Sequence, residues 1–340
     1  CTTIIEAGLD VNMQAWNWLE TMCGGKRGVR DADPSGLGDW DSYAAIHEFP
    51  IEEYEKAKSE ILVEGYCDTA IVTLSRTAAE GSALSMDLDG DGSTVNGTTY
   101  LELDDNERNL MKFCKENFKH TIVLLNTSSA MEIGFLDSEE YNVEACLWIG
   151  HPGDAGLVGV GKLITGAVNP SGRLVDTWAY DVSTNPTFYN MDNNRYANGQ
   201  DADNNTFYQY EEGIYVGYRY TETRYEDYVT SSGNAGDYDY SEVVAYPFGY
   251  GMSYTTFGYS SPTFSYDAET DVYTVSVTVT NTGNTAGKET VQVYAQKPYT
   301  DYDKAHGVEK AAVELVGFAK TGMLEGGVNA SETVSIEVPG

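Results

Sequence analysis

Apolar positions in the first half of the chain fall into short unbroken runs separated by amphipathic stretches. CDTAIVTLSR (Cys67–Arg76), HTIVLLNTS (His120–Ser128) and VEACLWIG (Val143–Gly150) are three such runs. Runs of this length and composition predict buried parallel strands. Between them the period becomes that of a helix. Ile51–Ile61 follows Pro50 and carries Glu52 and Glu53 in its first turn, where they favour the helix dipole. Leu103–Phe118 opens with Asp104 and Glu107 at capping-box spacing and sets Leu110, Met111, Cys114 and Phe118 along one stripe. Asp154–Val168 reads as a glycine-bearing helix that Asn169-Pro170 stops. The alternation predicts an α/β fold: a mainly parallel sheet covered by helices, an α/β sandwich. Its first strand is expected upstream of Cys1.

The pattern then dissolves. From Pro186 to Ala245 the chain holds eleven tyrosines, many Asn and Asp, and few aliphatic residues. A structureless loop of that length is unusual in a compact domain, so a packed excursion is expected, with short strands around Tyr210–Tyr220. Its rings could also form a sugar-stacking platform, each an apolar face with a hydroxyl handle. From Pro262 onward VYTVSVTVTNTGNTAGKETVQVYAQ (Val272–Gln296) alternates apolar and polar around a glycine-bearing turn. That predicts a hairpin in an all-β antiparallel sandwich. The expected domains are therefore 1–258, with the excursion at about 186–245, and 262–340. The second is about eighty residues long, short of the roughly 100 of a seven-stranded sandwich, and is expected to be truncated.

Composition narrows the function classes. The 340 residues carry a formal charge of −33, with 41% hydrophobic and 12% aromatic residues. Such a chain folds, and it lacks the basic footprint that nucleic acid or an anionic membrane needs. A neutral hydroxyl-rich ligand is not repelled. No apolar run approaches the roughly 18–20 residues of a bilayer span. Residue 1 is Cys within a helical pattern, so the sequence is expected to begin inside a longer protein. Cys1, Cys23, Cys67, Cys114 and Cys146 are odd in number and without CxxC spacing, which gives neither a disulfide framework nor a zinc site. Cys67, Cys114 and Cys146 read as small buried hydrophobes. Few lysines with many Asn, Thr, Tyr and Gly lean toward an extracellular or surface protein, and unpaired cysteines lean the other way. The compartment stays open.

GAVNPSGRL (Gly166–Leu174) and YPFGYGMSYTTF (Tyr246–Phe257) have neither period, and with them stand GHPGDAG (Gly150–Gly156), YEEGIYVGYRY (Tyr210–Tyr220) and VTVTNTGNTAGKETVQVY (Val277–Tyr294). In kind and order they closely resemble segments of the second half of glycoside hydrolase family 3, the β-glucosidase family. The resemblance implies an α/β sandwich supplying a general acid/base, followed by a fibronectin-III-like domain. It also implies a (β/α)8 barrel elsewhere in the full-length protein, before or after this segment, that carries an Asp nucleophile. The parent would be a retaining exo-acting β-glycosidase hydrolysing β-glucosides or related sugars, with no metal or organic cofactor. This chain alone would be an inactive fragment. The competing class is a non-catalytic carbohydrate-binding or scaffold module of the same fold.

Glu80 is the candidate catalytic carboxylate. It lies on a glycine-bearing segment beyond the strand Cys67–Arg76, and ligands of open α/β sheets gather at the carboxyl ends of strands. The segment is similar to the family's acid/base loop, S-G-E-G followed by D-R and later D-L. Here Ala78-Ala79 replaces Ser-Gly, Glu80-Gly81 is kept, Ala83-Leu84 replaces D-R, and Asp87-Leu88 matches the later pair. A solvated loop glutamate is the alternative. Asp87 and His151 are candidate substrate-binding residues, the latter because it stands beyond a strand end. Asp39, before Trp40 in GLGDWDSY, resembles the family's nucleophile context but follows no apolar strand, so the nucleophile is expected outside this chain.

Other constellations carry less. GLVGVGKL (Gly156–Leu163) fits G-x-x-x-x-G-K but has Leu163 where a hydroxyl must reach Mg²⁺, so its glycines are expected to serve close helix contact. Asp87, Asp89, Asp91 and Gly92 open like a calcium loop, yet position twelve is Thr98; a solvated acidic insertion and a weak calcium site remain the two readings. His47, His120, His151 and His306 have no metal spacing, and no G-x-S-x-G is present.

Overall fold

A computed structural model of the chain describes residues 2–23, 29–30, 46–76, 99–190, 194–195, 206–207, 209–232 and 236–340. The chain divides into two compact units, Cys1–Ala167 and Val168–Gly340. The fold is mixed α/β, with one parallel sheet and several antiparallel ones.

The first unit opens with α1 (Thr2–Glu6) and α2 (Met13–Cys23), then the short antiparallel pair β1 (Val29–Arg30) and β2 (Ile46–His47). The helix expected over Ile51–Ile61 comes in two pieces, α3 (Ile51–Lys56) and α4 (Lys58–Ile61). They break at Ala57, which leaves helical geometry at φ −90°, ψ 11° while its N–H still bonds Glu53 O. Next come β3 (Thr69–Arg76), α5 (Asp105–Asn117), β4 (His120–Thr127), β5 (Ala145–Trp148) and α6 (Gly153–Ile164). The three strands form a parallel sheet ordered β3-β4-β5, in register from Thr69↔His120 to Arg76↔Thr127.

The capping box of α5 forms as its spacing predicts. Asp104 accepts the Glu107 N–H, and Glu107 Oε2 accepts the Asp104 N–H. The inward face carries Leu110, Met111, Phe113 and Cys114. The central strand β4 buries Thr121, Val123, Leu124, Leu125 and Thr127. Burial on β3 alternates instead: Ala70, Val72, Leu74 and Arg76 are inside, while Thr69, Ile71 and Thr73 are exposed. Beside β3 lies a cavity of about 620 Å³, walled in part by Trp16, Glu48, Tyr54, Ile71 and Phe113. Among the described cysteines Cys114 is buried, and Cys23, Cys67 and Cys146 are half-buried. Burial pushes the thiols of Cys114 and Cys146 up to about 12.

The second unit begins with β6 (Trp178–Ala179). The tyrosine-rich stretch contains the antiparallel pair β7 (Asn194–Arg195) and β8 (Thr206–Phe207), then α7 (Tyr218–Thr230), α8 (Tyr240–Val243) and β9 (Val244–Tyr246), which returns to β6. Strands expected around Tyr210–Tyr220 are absent among the described residues: turns at 211–214 lead into α7. Gly217, at φ +57°, makes the entry. Tyrosine favours strands only where a pleated neighbour offers contact, and here the contacts suit a helix. The Tyr218 ring stands 4.7 Å from Phe248 and 6.1 Å from Tyr294, and Tyr225 stands 5.2 Å from Tyr240. These rings pack on one another, with Tyr225 and Tyr294 still exposed on one side.

The chain continues as β10 (Phe257–Tyr259), β11 (Thr263–Asp267), β12 (Val272–Asn281), β13 (Thr290–Ala295), α9 (Asp301–His306), β14 (Glu314–Lys320) and β15 (Ser331–Pro339). The hairpin expected within Val272–Gln296 does not form. β12 pairs with β10, β11 and β15, whereas β13 pairs with β14. The glycine-bearing turn therefore crosses between two sheets. Val277, Val279, Val291, Leu324, Val334 and Ile336 from both sides make one core. Alternation marks strands without naming their partners, since period two is the same whether the next strand pairs or crosses.

Candidate active site

Glu80 and Asp87 lie outside the described residues, as do Asp39, Asp89 and Asp91. The structure describes the two ends from which the 77–98 segment departs and returns, at the carboxyl edge of the parallel sheet.

The departing end is Arg76, the last residue of β3. Its place on the inward face after Ala70, Val72 and Leu74 leaves it 2% exposed. A cation there must be paired. Arg76 Nη1 donates to Glu107 Oε1 at 2.6 Å and to Ser75 O at 3.0 Å. Nη2 donates to Glu107 Oε2 at 2.8 Å and to Glu102 O at 2.6 Å, and Nε donates to Tyr100 O at 2.5 Å. All five guanidinium N–H groups are thus engaged. The guanidinium carbon also stands 5.0 Å from the centre of the Tyr100 ring. Burial alone would lower the Arg76 pKa; the Glu107 hydrogen bonds and charge outweigh it and hold the pKa above its ordinary value.

The returning end is equally fixed. Tyr100 and Leu103 are each 2% exposed. Thr99 N–H donates to Glu102 Oε1 at 2.9 Å, and Glu132 N–H donates to Leu101 O at 2.7 Å. Beside it, buried Thr127 ends β4: its hydroxyl donates to Ser129 O at 2.7 Å and accepts the Ser129 N–H. The Trp148 indole donates to Thr127 O at 2.7 Å, linking β5 to the same edge. His151 follows shortly after β5, exposed, before the start of α6. The string Gly156–Leu163 lies wholly within α6, so it is helix rather than a phosphate-cradling loop. Among the described residues, no cluster of three or more His, Cys, Asp or Glu is placed to hold a metal ion. Nor is any described helix long and apolar enough to cross a membrane.

Sequence reasoning named Glu107 only as a cap and passed over Arg76. The signal was present, since an arginine at the inward parity of a strand requires a buried acceptor set.

In the second unit two of the signature strings meet as a structural joint. Leu174 N–H donates to Tyr250 O and Gly249 N–H to Leu174 O, both at 2.8 Å. Asn169 Oδ1 accepts from Ser253 Oγ at 2.9 Å and from Tyr254 N–H at 2.8 Å, while its Nδ2 donates to Ala286 O at 3.0 Å. A Cβ at Gly251 would collide with Gly172 O, so the close approach needs glycine there. Asn281, with no exposed surface, accepts from Thr255 Oγ1 and Gly283 N–H and donates to Thr285 O and Leu324 O.

These features fit one family. The chain belongs to glycosyl hydrolase family 3, whose C-terminal domain matches residues 30–218. It is 34% identical over 271 residues to a beta-glucosidase of Ruminococcus albus, covering 80% of this chain and 23% of that protein. Among solved structures, a beta-glucosidase from Paenibacillus barengoltzii superposes with a TM-score of 0.72 at 27% identity, covering 97% of this chain and 30% of that one. Beta-glucosidase 3B from Thermotoga neapolitana, solved in complex with alpha-D-glucose, gives 0.69 at 29% identity, covering 99% and 40%. The chain spans between 23% and 33% of the length of the first curated relatives it matches.

Proposed function

We propose that this chain is the acid/base-bearing part of a retaining exo-β-glycosidase that acts on β-glucosides or related oligosaccharides. The observation that carries the reading is the family match across residues 30–218, which includes Glu80, on a segment both of whose ends are held at the carboxyl edge of a parallel sheet. The nucleophile belongs to a (β/α)8 barrel in the rest of the full-length protein. The strands from β10 to β15 are read as a fibronectin-III-like sandwich.

Retention needs two carboxyls about 5–5.5 Å apart. In the first step the nucleophilic carboxylate attacks the anomeric carbon. The glycosidic C–O bond breaks, and Glu80 gives its proton to the departing oxygen. In the second step Glu80, now a carboxylate, takes a proton from water as the water oxygen displaces the enzyme ester. Asp87, and His151 shortly after β5, are the substrate-binding candidates. The replacement of the family's D-R pair by Ala83-Leu84 favours one second reading, a non-catalytic carbohydrate-binding or scaffold module.

Trapping separates these readings. The full-length protein is treated with a dinitrophenyl 2-deoxy-2-fluoro-β-glucoside, and the labelled peptide is located by mass spectrometry. A glycosyl ester on an aspartate outside residues 1–340 supports the proposal. A label on Asp39 would contradict the division of labour, and no labelling together with no turnover of aryl β-glycosides would favour the module.

A further inference from the structure

We propose that the open edge of β3 is a docking groove for an extended apolar segment of the full-length protein from outside these 340 residues, which joins the parallel sheet as a further strand. The cavity of about 620 Å³ beside β3 touches five consecutive residues of that strand, Thr69 to Thr73. Ala70 and Val72 belong to its inward side, whereas Thr69, Ile71 and Thr73 belong to its exposed side. Successive side chains of a strand point to opposite faces, so a space that meets both sets runs along the strand's edge rather than over one face. Among the described residues β3 pairs only with β4. The other edge therefore presents a row of backbone N–H and C=O groups ready for a partner.

The walls define what fits. Helices line the groove, with Tyr54 of α3, Phe113 of α5, Ile4 of α1 and Ile164 of α6 all facing it. Strands of parallel sheets are covered on both faces and are near-continuous apolar runs. Such a strand laid parallel to β3 satisfies the edge groups and sends alternate side chains to either side of the sheet. A small ligand can occupy the volume but leaves the edge unpaired. A second copy related by a two-fold axis would run antiparallel, against the sense of the sheet. Acidic side chains are excluded from the occupant, because Asp10, Glu48 and Asp68 already line the groove. The first curated relatives are matched over only 23–33% of their length, which leaves ample chain to supply the segment.

The test is photo-cross-linking in the full-length protein. The photoreactive residue p-benzoylphenylalanine replaces Thr69 in one variant and Thr73 in another, and the joined peptides are identified by mass spectrometry after irradiation. We expect both variants to label one apolar stretch outside residues 1–340 of the same molecule. The label from position 73 should lie C-terminal to the label from position 69, as parallel pairing requires. A label within residues 1–340, a product of twice the mass, the reversed order of the two labels, or no label from either variant overturns the proposal. If the variants do not fold, amide hydrogen exchange in the natural full-length protein decides. Protection of all the β3 amides, including those that do not bond β4, upholds the added strand. Fast exchange of every second amide of β3 shows an open edge and overturns it.

Discussion

Arg173 Nη2 lies 2.6 Å from each carboxylate oxygen of Glu289, 116 residues further along the chain. Both side chains are nearly buried, and Arg173 Nη1 also donates to Gly251 O at 2.5 Å. Glu289 ends the crossing from β12 to β13, and its N–H donates to the Thr321 hydroxyl. One ion pair therefore ties NPSGRL, PFGYGMSY and the sheet-to-sheet crossing into a single joint. The strings that carry most of the family resemblance are, in this unit, architecture.

The joint makes a stability prediction. Arg173→Met leaves the Glu289 charge buried without its partner, which should cost about 3 kcal/mol in chemical denaturation. Arg173→Met combined with Glu289→Met removes both charges and should recover most of that loss. An unchanged denaturation midpoint for the single variant would show that the pair contributes nothing.

A second prediction concerns pH. Burial pushes the Glu48 carboxyl up to about 7 from its ordinary 4.5; the Tyr54 hydroxyl, donating at 2.5 Å, opposes the shift, and the charges of Glu107 and Asp104 add to it. The folded state therefore prefers the protonated form. Its stabilising contribution is complete below about pH 4.5 and is lost as pH rises through about 7, up to about 3 kcal/mol over the window. Glu48→Gln removes this dependence. Its melting temperature should gain on the natural protein steadily between pH 4.5 and 7.5. Parallel curves for the two proteins would contradict the assignment.

What could be read in the sequence follows from the range of the forces involved. The α5 cap and stripe are local, and Asp104, Glu107, Leu110 and Met111 sit as their spacing requires. The β4 run is apolar enough to be central whatever surrounds it. Where a choice depends on distant partners, the pattern was silent or misleading. Val272–Gln296 alternates as a hairpin would, yet Asn281 and Glu289 fasten its turn to Leu324 and Arg173, and the chain crosses sheets. Tyr218 and Tyr225 resemble strand residues until Phe248 and Tyr240 supply a helix's neighbours. Glu80 is a candidate on two grounds, its place beyond the carboxyl end of a strand and the resemblance of its segment to a family's. Nothing in composition singles out one carboxylate among fifty-three acidic residues.

The central claim is that Glu80 gives and takes the catalytic proton, and chemical rescue tests it most directly. In the full-length enzyme Glu80→Gln keeps shape but removes the transferable proton, so cellobiose hydrolysis should fall by about 10²–10⁴-fold. With a dinitrophenyl β-glucoside the glycosyl-enzyme still forms but waits for a base. Azide needs none. Added azide should therefore accelerate turnover and yield β-glucosyl azide, the retained product. Equal slowing of both substrates, with no acceleration and no β-glucosyl azide, would contradict the assignment of Glu80.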